Sequence, residues 1–244
     1  MPNDRTEVRR VLDTVKAEGR TALTAPEGKL VCEAYGITVP KEGVATSAAD
    51  AAAIATAMGF PVVLKIVSPE ILHKTEAGGV LVGVKSADEA QKGYDTIIAN
   101  AKKYNAKATI LGVQVQQMLA GGQEVIIGAV TDPVFGKLVA FGLGGVLVEV
   151  LKDITFRLAP ATKDDALSML DGIAAAQILK GVRGADPVNR DALAKMIQNV
   201  SQLIADYPEI AEMDLNPLRV GARGQGAVVL DARIAVRSGP PAFA

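Results

Sequence analysis

Residues 212–236 read Glu212-Met-Asp-Leu-Asn-Pro-Leu-Arg-Val-Gly-Ala-Arg-Gly-Gln-Gly-Ala-Val-Val-Leu-Asp-Ala-Arg-Ile-Ala-Val236. Two runs rich in β-branched and aliphatic residues, Glu212–Val220 and Ala227–Val236, flank a glycine-rich connector, Gly221–Gly226. The pattern predicts an antiparallel hairpin. Pairing across that connector sets Asn216 opposite Asp231 and Asp214 opposite Arg233. Residues two apart on a strand share a face, so these four polar side chains line one surface. A carboxylate beside a carboxamide oxygen suits a hard cation such as Mg²⁺, with phosphate oxygens and water completing the shell. The plainer alternative is a solvated polar face with one salt bridge. Val228-Val-Leu230 and Ile234-Ala-Val236 bracket Asp231 with apolar residues, and a carboxylate so embedded wants a cation.

Working outward, helices and strands alternate. Val8, Val11, Leu12 and Val15 fall on one helical face that ends near Gly19. Thr24-Ala-Pro-Glu27 is a capping box opening a helix to about Tyr35. Asp50–Met58 and Asp88–Tyr104 are predicted helices. Thr162 caps one reaching Leu179, and Asn189 caps another carrying Leu193, Met196, Ile197, Val200, Leu203 and Ile204. Strands are expected over Pro61–Val67, Gly79–Val84, Thr109–Met118, Glu124–Thr131 and Lys137–Phe141. The class is α/β or α+β with mixed sheets. Ala120-Gly-Gly122 reads as a hinge between two subdomains. The expected division is an N-terminal helix over 1–22, a first subdomain over 23–113 and a second over 114–244.

Composition narrows the function. The 244 residues are 49% hydrophobic and 22% charged, as in a packed globular protein. Twenty-six basic residues against 27 acidic ones argue against a nucleic-acid or membrane-surface binder. Tryptophan is absent and aromatics make up 4%, which disfavours base-stacking platforms. The one cysteine, Cys32, excludes an internal disulfide and fits a reducing, cytoplasmic setting. The start of the chain is polar, so no signal peptide is expected. The longest apolar run, Leu138–Leu151, holds three glycines and Glu149 and is too short to cross a bilayer.

Several chemistries are missing. There is no P-loop, and Gly142-Leu-Gly-Gly145 is not a dinucleotide fingerprint. One histidine and one cysteine cannot build a zinc cluster. What remains is sparse. Lys65 sits within Val62-Val-Leu-Lys-Ile-Val67, where an ammonium either meets an anion such as phosphate or lies on an edge with its tip in water. His73, the single histidine, lies in a polar loop ending at Gly78-Gly79, and a neutral imidazole nitrogen can attack a phosphoryl group. Gly-Gly-Val-Leu-Val occurs at Gly78–Val82 and at Gly144–Val148, each a glycine pair whose N–H groups are expected to be free to approach an anion. Arg157 is placed to clamp phosphate or to pair with Glu149 or Asp153. Glu124 opens a strand just after the hinge.

Together these residues resemble a known family. Gly59-Phe-Pro-Val-Val-Leu-Lys-Ile-Val-Ser-Pro-Glu-Ile-Leu-His-Lys-Thr-Glu-Ala-Gly-Gly79, Gly122-Gln-Glu-Val-Ile-Ile-Gly128, Phe141-Gly-Leu-Gly-Gly145 with Arg157-Leu-Ala-Pro160, and Asp214-Leu-Asn-Pro-Leu218 with Leu230-Asp231 follow one another in order. They are similar to the β subunit, or ATP-grasp domain, of the ADP-forming acyl-CoA synthetases, the acetate–CoA ligase type related to succinyl-CoA synthetase. The resemblance covers about residues 20–237. It implies an ATP-grasp fold, two α/β subdomains that clasp Mg·ATP. It implies Lys65 on the nucleotide phosphates, with Gly78 and Gly79 nearby, and Gln116, Gln117, Met118 and Leu119 as the adenine hinge with Glu124 near the ribose. Asn216 and Asp231 become Mg²⁺ ligands, His73 a phosphoryl carrier and Arg157 a stabiliser of the transferring phosphate. It also implies a CoA-binding α subunit, in an α2β2 heterotetramer, because these residues hold no CoA-binding fold. Two other readings stand beside it: a ligase that activates a carboxylate directly as acyl phosphate, and a non-catalytic nucleotide-binding module. A chain waiting for a partner is expected to expose an apolar docking patch.

Overall fold

In β2 (Val62–Val67), Val62, Leu64 and Ile66 face a core while Val63 and Lys65 face the other way. The geometry comes from a computed structural model that describes residues 5–144, 153–182, 184 and 186–237. The chain divides into two compact units, Pro40–Ala120 and the remainder, Met1–Val39 with Gly121–Ala244. One boundary falls inside the expected Ala120-Gly-Gly122 hinge. The others differ from the sequence expectation. Residues 23–39 belong with the C-terminal half because Val31, Cys32, Tyr35 and Ile37 are buried in its core. Residues 114–120 belong with the smaller unit because its central strand runs on to Gln117.

The smaller unit holds β1 (Glu42–Ala45), α3 (Ala48–Met58), β2, β3 (Val80–Val84), α4 (Ala87–Tyr104) and β4 (Gly112–Gln117). Its sheet runs β1-β4-β2-β3, with every pairing antiparallel. The strand β1 was not expected from the sequence, since Glu42-Gly-Val-Ala45 is too short and glycine-broken to signal one. The helices cover one face through Ala51, Ala55, Ile97 and Ala101. A Cβ at Gly93 of α4 would stand 2.7 Å from a Leu64 methyl, so glycine lets this helix lie close on the sheet.

The larger unit begins with α1 (Arg5–Ala17) and α2 (Ala25–Ala34) and resumes with β5 (Gln123–Asp132), β6 (Gly136–Leu143) and β7 (Ile154–Leu158). Then come α5 (Lys163–Gly172), α6 (Ala176–Leu179), α7 (Arg190–Asp206), β8 (Ile210–Val220), β9 (Ala227–Val229) and β10 (Ala232–Val236). Its sheet follows β10-β8-β5-β6-β7, with β9 also on β8, again antiparallel throughout. The architecture among the described strands is therefore α+β with antiparallel sheets rather than mixed ones. Phe141, Ile127 and Leu215 fill the core against Met169, Leu193 and Ile197 of the helices.

The single helix expected over 163–179 is broken after Gly172. The Asp153 carboxylate accepts the N–H groups of Ala174 at 2.7 Å and Ala175 at 2.9 Å, which draws those donors out of the helical ladder. Among the described residues no helix is long and apolar enough to cross a membrane.

Helix α1 is tied to the end of α7. Arg5 meets Asp206 at 3.0 Å, and the Arg9 guanidinium lies 5.1 Å over the Tyr207 ring. The Tyr35 hydroxyl donates to Asp206 at 2.6 Å. Burial alone would raise the Asp206 carboxyl, but hydrogen bonds from Tyr35 and Gln202 and the charge of Arg5 hold it below the usual carboxylate range. A depressed carboxylate stabilises the fold above its unfolded pKa, and that contribution is lost as pH falls through the folded value. Tyr35→Phe is therefore expected to cost about 1.5–3 kcal/mol at neutral pH. Thermal melts should show a drop of about 2–4 °C per kcal/mol at pH 7, shrinking as pH falls from about 4, the unfolded carboxylate value, through the lower folded value of Asp206.

Candidate functional site

Four polar side chains sit on the helix-free face of the smaller sheet. Lys65 lies directly across from Gln114, and Gln116 directly across from Glu42. Lys65 is 8% exposed and Gln114 3% exposed. Because β2 is flanked by β4 and β3, the edge alternative for Lys65 is excluded. The Gln116 amide donates to Glu42 at 3.1 Å, which fixes its orientation. Gln114 Oε1 is buried without a hydrogen-bond partner. Such an acceptor is costly unless a ligand or water donates to it. Gln117, Met118 and Leu119 continue from β4, half-buried, with Gln117 N–H on the Lys41 carbonyl and Met118 N–H on Pro61.

The strand β2 feeds the His73 loop. Glu70 clasps its start, accepting the Thr109 N–H at 3.0 Å and hydroxyl at 3.2 Å. Ile71 and Ala77 are buried in the core, while the His73 side chain between them is 58% exposed. His73 Nδ1 lies 3.8 Å from Glu76 Oε1. The expectation of free N–H groups at Gly78 and Gly79 does not hold. Gly78 N–H donates to Thr75 and Gly79 N–H to Lys74. Their role is steric: a Cβ on Gly79 would stand 2.5 Å from an Ile66 methyl, and Gly78 has φ +60°. The second copy of the motif, from Gly145 onward, lies outside the described residues, as does Glu149.

In the larger unit, the hairpin register is the one read from the sequence. Asp214 pairs with Arg233, Leu218 with Val229, and Asn216 N–H donates to the Asp231 carbonyl at 3.1 Å. What the sequence did not reveal is that one strand of the hairpin breaks where the other bulges. The long second strand is split at Leu230-Asp231 into β9 and β10, and β8 gains one residue against β5 between Leu215 and Leu218. Such a bulge re-aims side chains. Asn216 is exposed there, and the Asp231 carboxylate is 3.9 Å from the Arg233 guanidinium. Asp214 joins them: burial pushes its carboxyl up, Arg233 opposes, and Asp231 and Glu212 add to the rise. Among the described residues no group of three His, Cys, Asp or Glu stands ready to hold a metal by itself. A carboxylate and a carboxamide at one strand break still fit a hard cation that takes its other oxygens from phosphate and water.

Glu124 is the second residue of β5, across from Arg219 and 2.6 Å from its guanidinium. The structure does not bring Arg157 to the Asp214 face. It pairs with Val139, a core residue on the helix side, and its guanidinium donates to Ser168 at 2.7 Å and to the Phe156 carbonyl. Nor does it pair with Asp153, whose oxygens are taken by Ala174 and Ala175. Phe135, Phe156 and Leu158 are exposed beside it and line an open cavity of about 470 Å³.

Two α+β units with antiparallel sheets, one bearing a buried lysine and the other a carboxylate–carboxamide pair, define an ATP-grasp protein. The sequence profile of the ATP-grasp domain matches residues 14–236. The β subunit of acetate–CoA ligase (ADP-forming) II from Pyrococcus furiosus is 45% identical over 232 residues, 95% of this chain and 98% of that one. The 4-hydroxybutyrate–CoA ligase (ADP-forming) of Nitrosopumilus maritimus is 44% identical over 231 residues, 95% of this chain, which spans 33% of that longer protein. Among solved structures, acetyl-coenzyme A synthetase 1 of Candidatus Korarchaeum cryptofilum, in complex with coenzyme A and Ca-AMPCP, superposes with a TM-score of 0.90 at 42% identity, covering 94% of this chain and 99% of that one. A second structure of that enzyme, with Mg-AMPPCP and a phosphohistidine segment pointing towards the nucleotide-binding site, gives 0.82 at 39% identity over 94% and 100%. The chain belongs to the ATP-grasp family of the ADP-forming acetate–CoA ligase β subunits.

Proposed function

We propose that the chain is the nucleotide-binding β subunit of an ADP-forming acyl-CoA synthetase, which catalyses acyl-CoA + ADP + Pᵢ ⇌ carboxylic acid + CoA + ATP with a CoA-binding α subunit. The observation that carries the reading is His73, exposed on the loop that leaves the buried Lys65 strand. In this reading Lys65 binds the nucleotide phosphates, Gln116 to Leu119 receive the adenine, and Glu124, already held by Arg219, lies near the ribose. Asn216 and Asp231 hold Mg²⁺, which when bound neutralises phosphate charge and admits a nucleophile. His73 takes the phosphoryl group and carries it toward the α subunit, so nucleotide and CoA chemistry are divided between two chains. Gly78 and Gly79 shape the loop that presents His73. Arg157, which donates to Ser168 in this structure, is the candidate stabiliser of the transferring phosphate. The reading places the enzyme in the cytoplasm, as an α2β2 heterotetramer; the mass of the reconstituted complex in solution checks that stoichiometry.

Phosphoryl labelling tests the relay. The purified chain and its α subunit are incubated with Mg²⁺ and γ-labelled ATP, alongside a His73→Ala control. Acid-labile, base-stable label that vanishes in the control is the expected result. An unlabelled chain that still binds ATP in the presence of the partner would discard the relay in favour of direct carboxylate activation.

A further inference from the structure

His73 is the single histidine of the chain, and its ring is not alone. The loop after Leu72 is wound by its own backbone. Ala77 N–H donates to the His73 carbonyl at 3.2 Å, Gly78 N–H to Thr75 at 3.0 Å and Gly79 N–H to Lys74 at 2.8 Å. Winding of this kind brings residues three apart to the same side. His73 and Glu76 are three apart, and Nδ1 stands 3.8 Å from Oε1. That is ion-pair range, and it sets the carboxylate facing Nδ1. Glu76 makes no other ion pair or hydrogen bond among the described residues, so it does not serve as a brace to the core.

A neutral imidazole keeps one proton, and the nitrogen without it is the nucleophile. Free histidine prefers to carry that proton on Nε2, which leaves Nδ1, the more crowded atom, as the one with the lone pair. A carboxylate facing Nδ1 reverses the preference. We propose that Glu76 is a positioning residue for His73: it holds the proton on Nδ1, so that Nε2 is the atom that receives the phosphoryl group. The proposal deepens the relay reading above and rests on it for the transfer step. In that step the Nε2 lone pair forms the N–P bond while the bond from the γ-phosphorus to the β,γ-bridging oxygen breaks, and ADP leaves with that electron pair. Nδ1 keeps its proton throughout. The positive charge that the ring acquires faces Glu76, which stabilises it until the phosphoryl group moves on.

Because the chain has one histidine, a sample labelled with ¹⁵N at histidine shows a single imidazole in long-range ¹H–¹⁵N correlation spectra. With the ring neutral, the wild-type chain should show the Nδ1–H tautomer. Glu76→Ala should move the populations toward Nε2–H. A wild type in the Nε2–H form, or a spectrum unmoved by Glu76→Ala, would overturn the proposal. In a second arm, ³¹P spectra are taken after phosphorylation by Mg·ATP with the α subunit present. A single Nε2-phosphohistidine is expected, with slower labelling and a mixture of isomers in Glu76→Ala. Label on Nδ1 in the wild type would also overturn it. Absence of any phosphohistidine would remove the relay reading, whereas the tautomer is read without nucleotide and judges the role of Glu76 separately.

Discussion

His73→Asn is expected to reduce turnover with the α subunit by about 10⁴-fold or more, the scale on which loss of a covalent nucleophile is felt. Asparagine matches the imidazole in polarity and roughly in reach, but its amide nitrogen has no lone pair available to attack phosphorus. The fold should not notice. The side chain is more than half exposed and lies in ion-pair range of Glu76, and such surface changes cost within about 0.5 kcal/mol. Nucleotide binding should also persist, because Lys65, Gln116 and Glu42 lie on strands that this substitution does not touch. The measurement is steady-state turnover of the two-subunit enzyme beside calorimetric binding of Mg·ATP. Turnover surviving within tenfold of wild type would remove His73 from the reaction.

The second large effect is expected at the strand break. Asp231→Ala deletes the carboxylate of the proposed cation pair and should lower kcat by about 10²–10³-fold, the usual magnitude for removing one charge-stabilising group. The concentration of Mg²⁺ giving half-maximal activity should rise with it. Asp231 is also close to Arg233 and to the half-buried Asp214, so a purely electrostatic disturbance has to be separated from loss of a ligand. Arg233→Gln supplies that comparison: it alters the same charges and leaves both candidate ligands in place. An unchanged Mg²⁺ dependence in Asp231→Ala, or an equal change in Arg233→Gln, would show that the carboxylate serves the salt bridge and not a metal.

Where the fold was legible, periodicity was strong. The stripes of α1, α4 and α7 are set by burial on one side, and they lie where the spacing of apolar residues put them. The hairpin register was legible because the six-residue connector and a period of two leave few alternatives. What stayed hidden depended on groups distant in sequence. Asp153 breaks a helix twenty-one residues further on by taking the N–H of Ala174, and no local pattern announces that. The bulge at Asn216, opposite the break at Asp231, depends on β5 as much as on the hairpin itself. Glu42 entered the polar face only once β1 was seen beside β4. The face that Arg157 takes was not legible for a simple reason: strand parity decides it, and β7 had not been recognised as a strand. Glu76 did leave a trace, an acid three residues after the histidine, but the spacing means something only once the loop is known to be wound.

The anchors of the His73 loop set a tether length. Ile71 and Ala77 are both in the core, at 1% and 5% exposure, and the Asn100 amide holds the Gly78 carbonyl at 2.9 Å. Only Leu72 to Glu76 are left to pay out. At about 3.3–3.6 Å per residue, a segment this short, fixed at both ends, carries its midpoint no more than about 10 Å from its roots. Delivery over a greater span requires Ile71 or Ala77 to leave the core, and surrendering the burial of an isoleucine side chain alone costs about 1.5–3 kcal/mol. Either the acceptor is brought within a nanometre of this loop by the docking of another chain, or the energy of that docking unfastens the loop. In both cases the distance is covered at the expense of association, and a β chain by itself has no means of covering it.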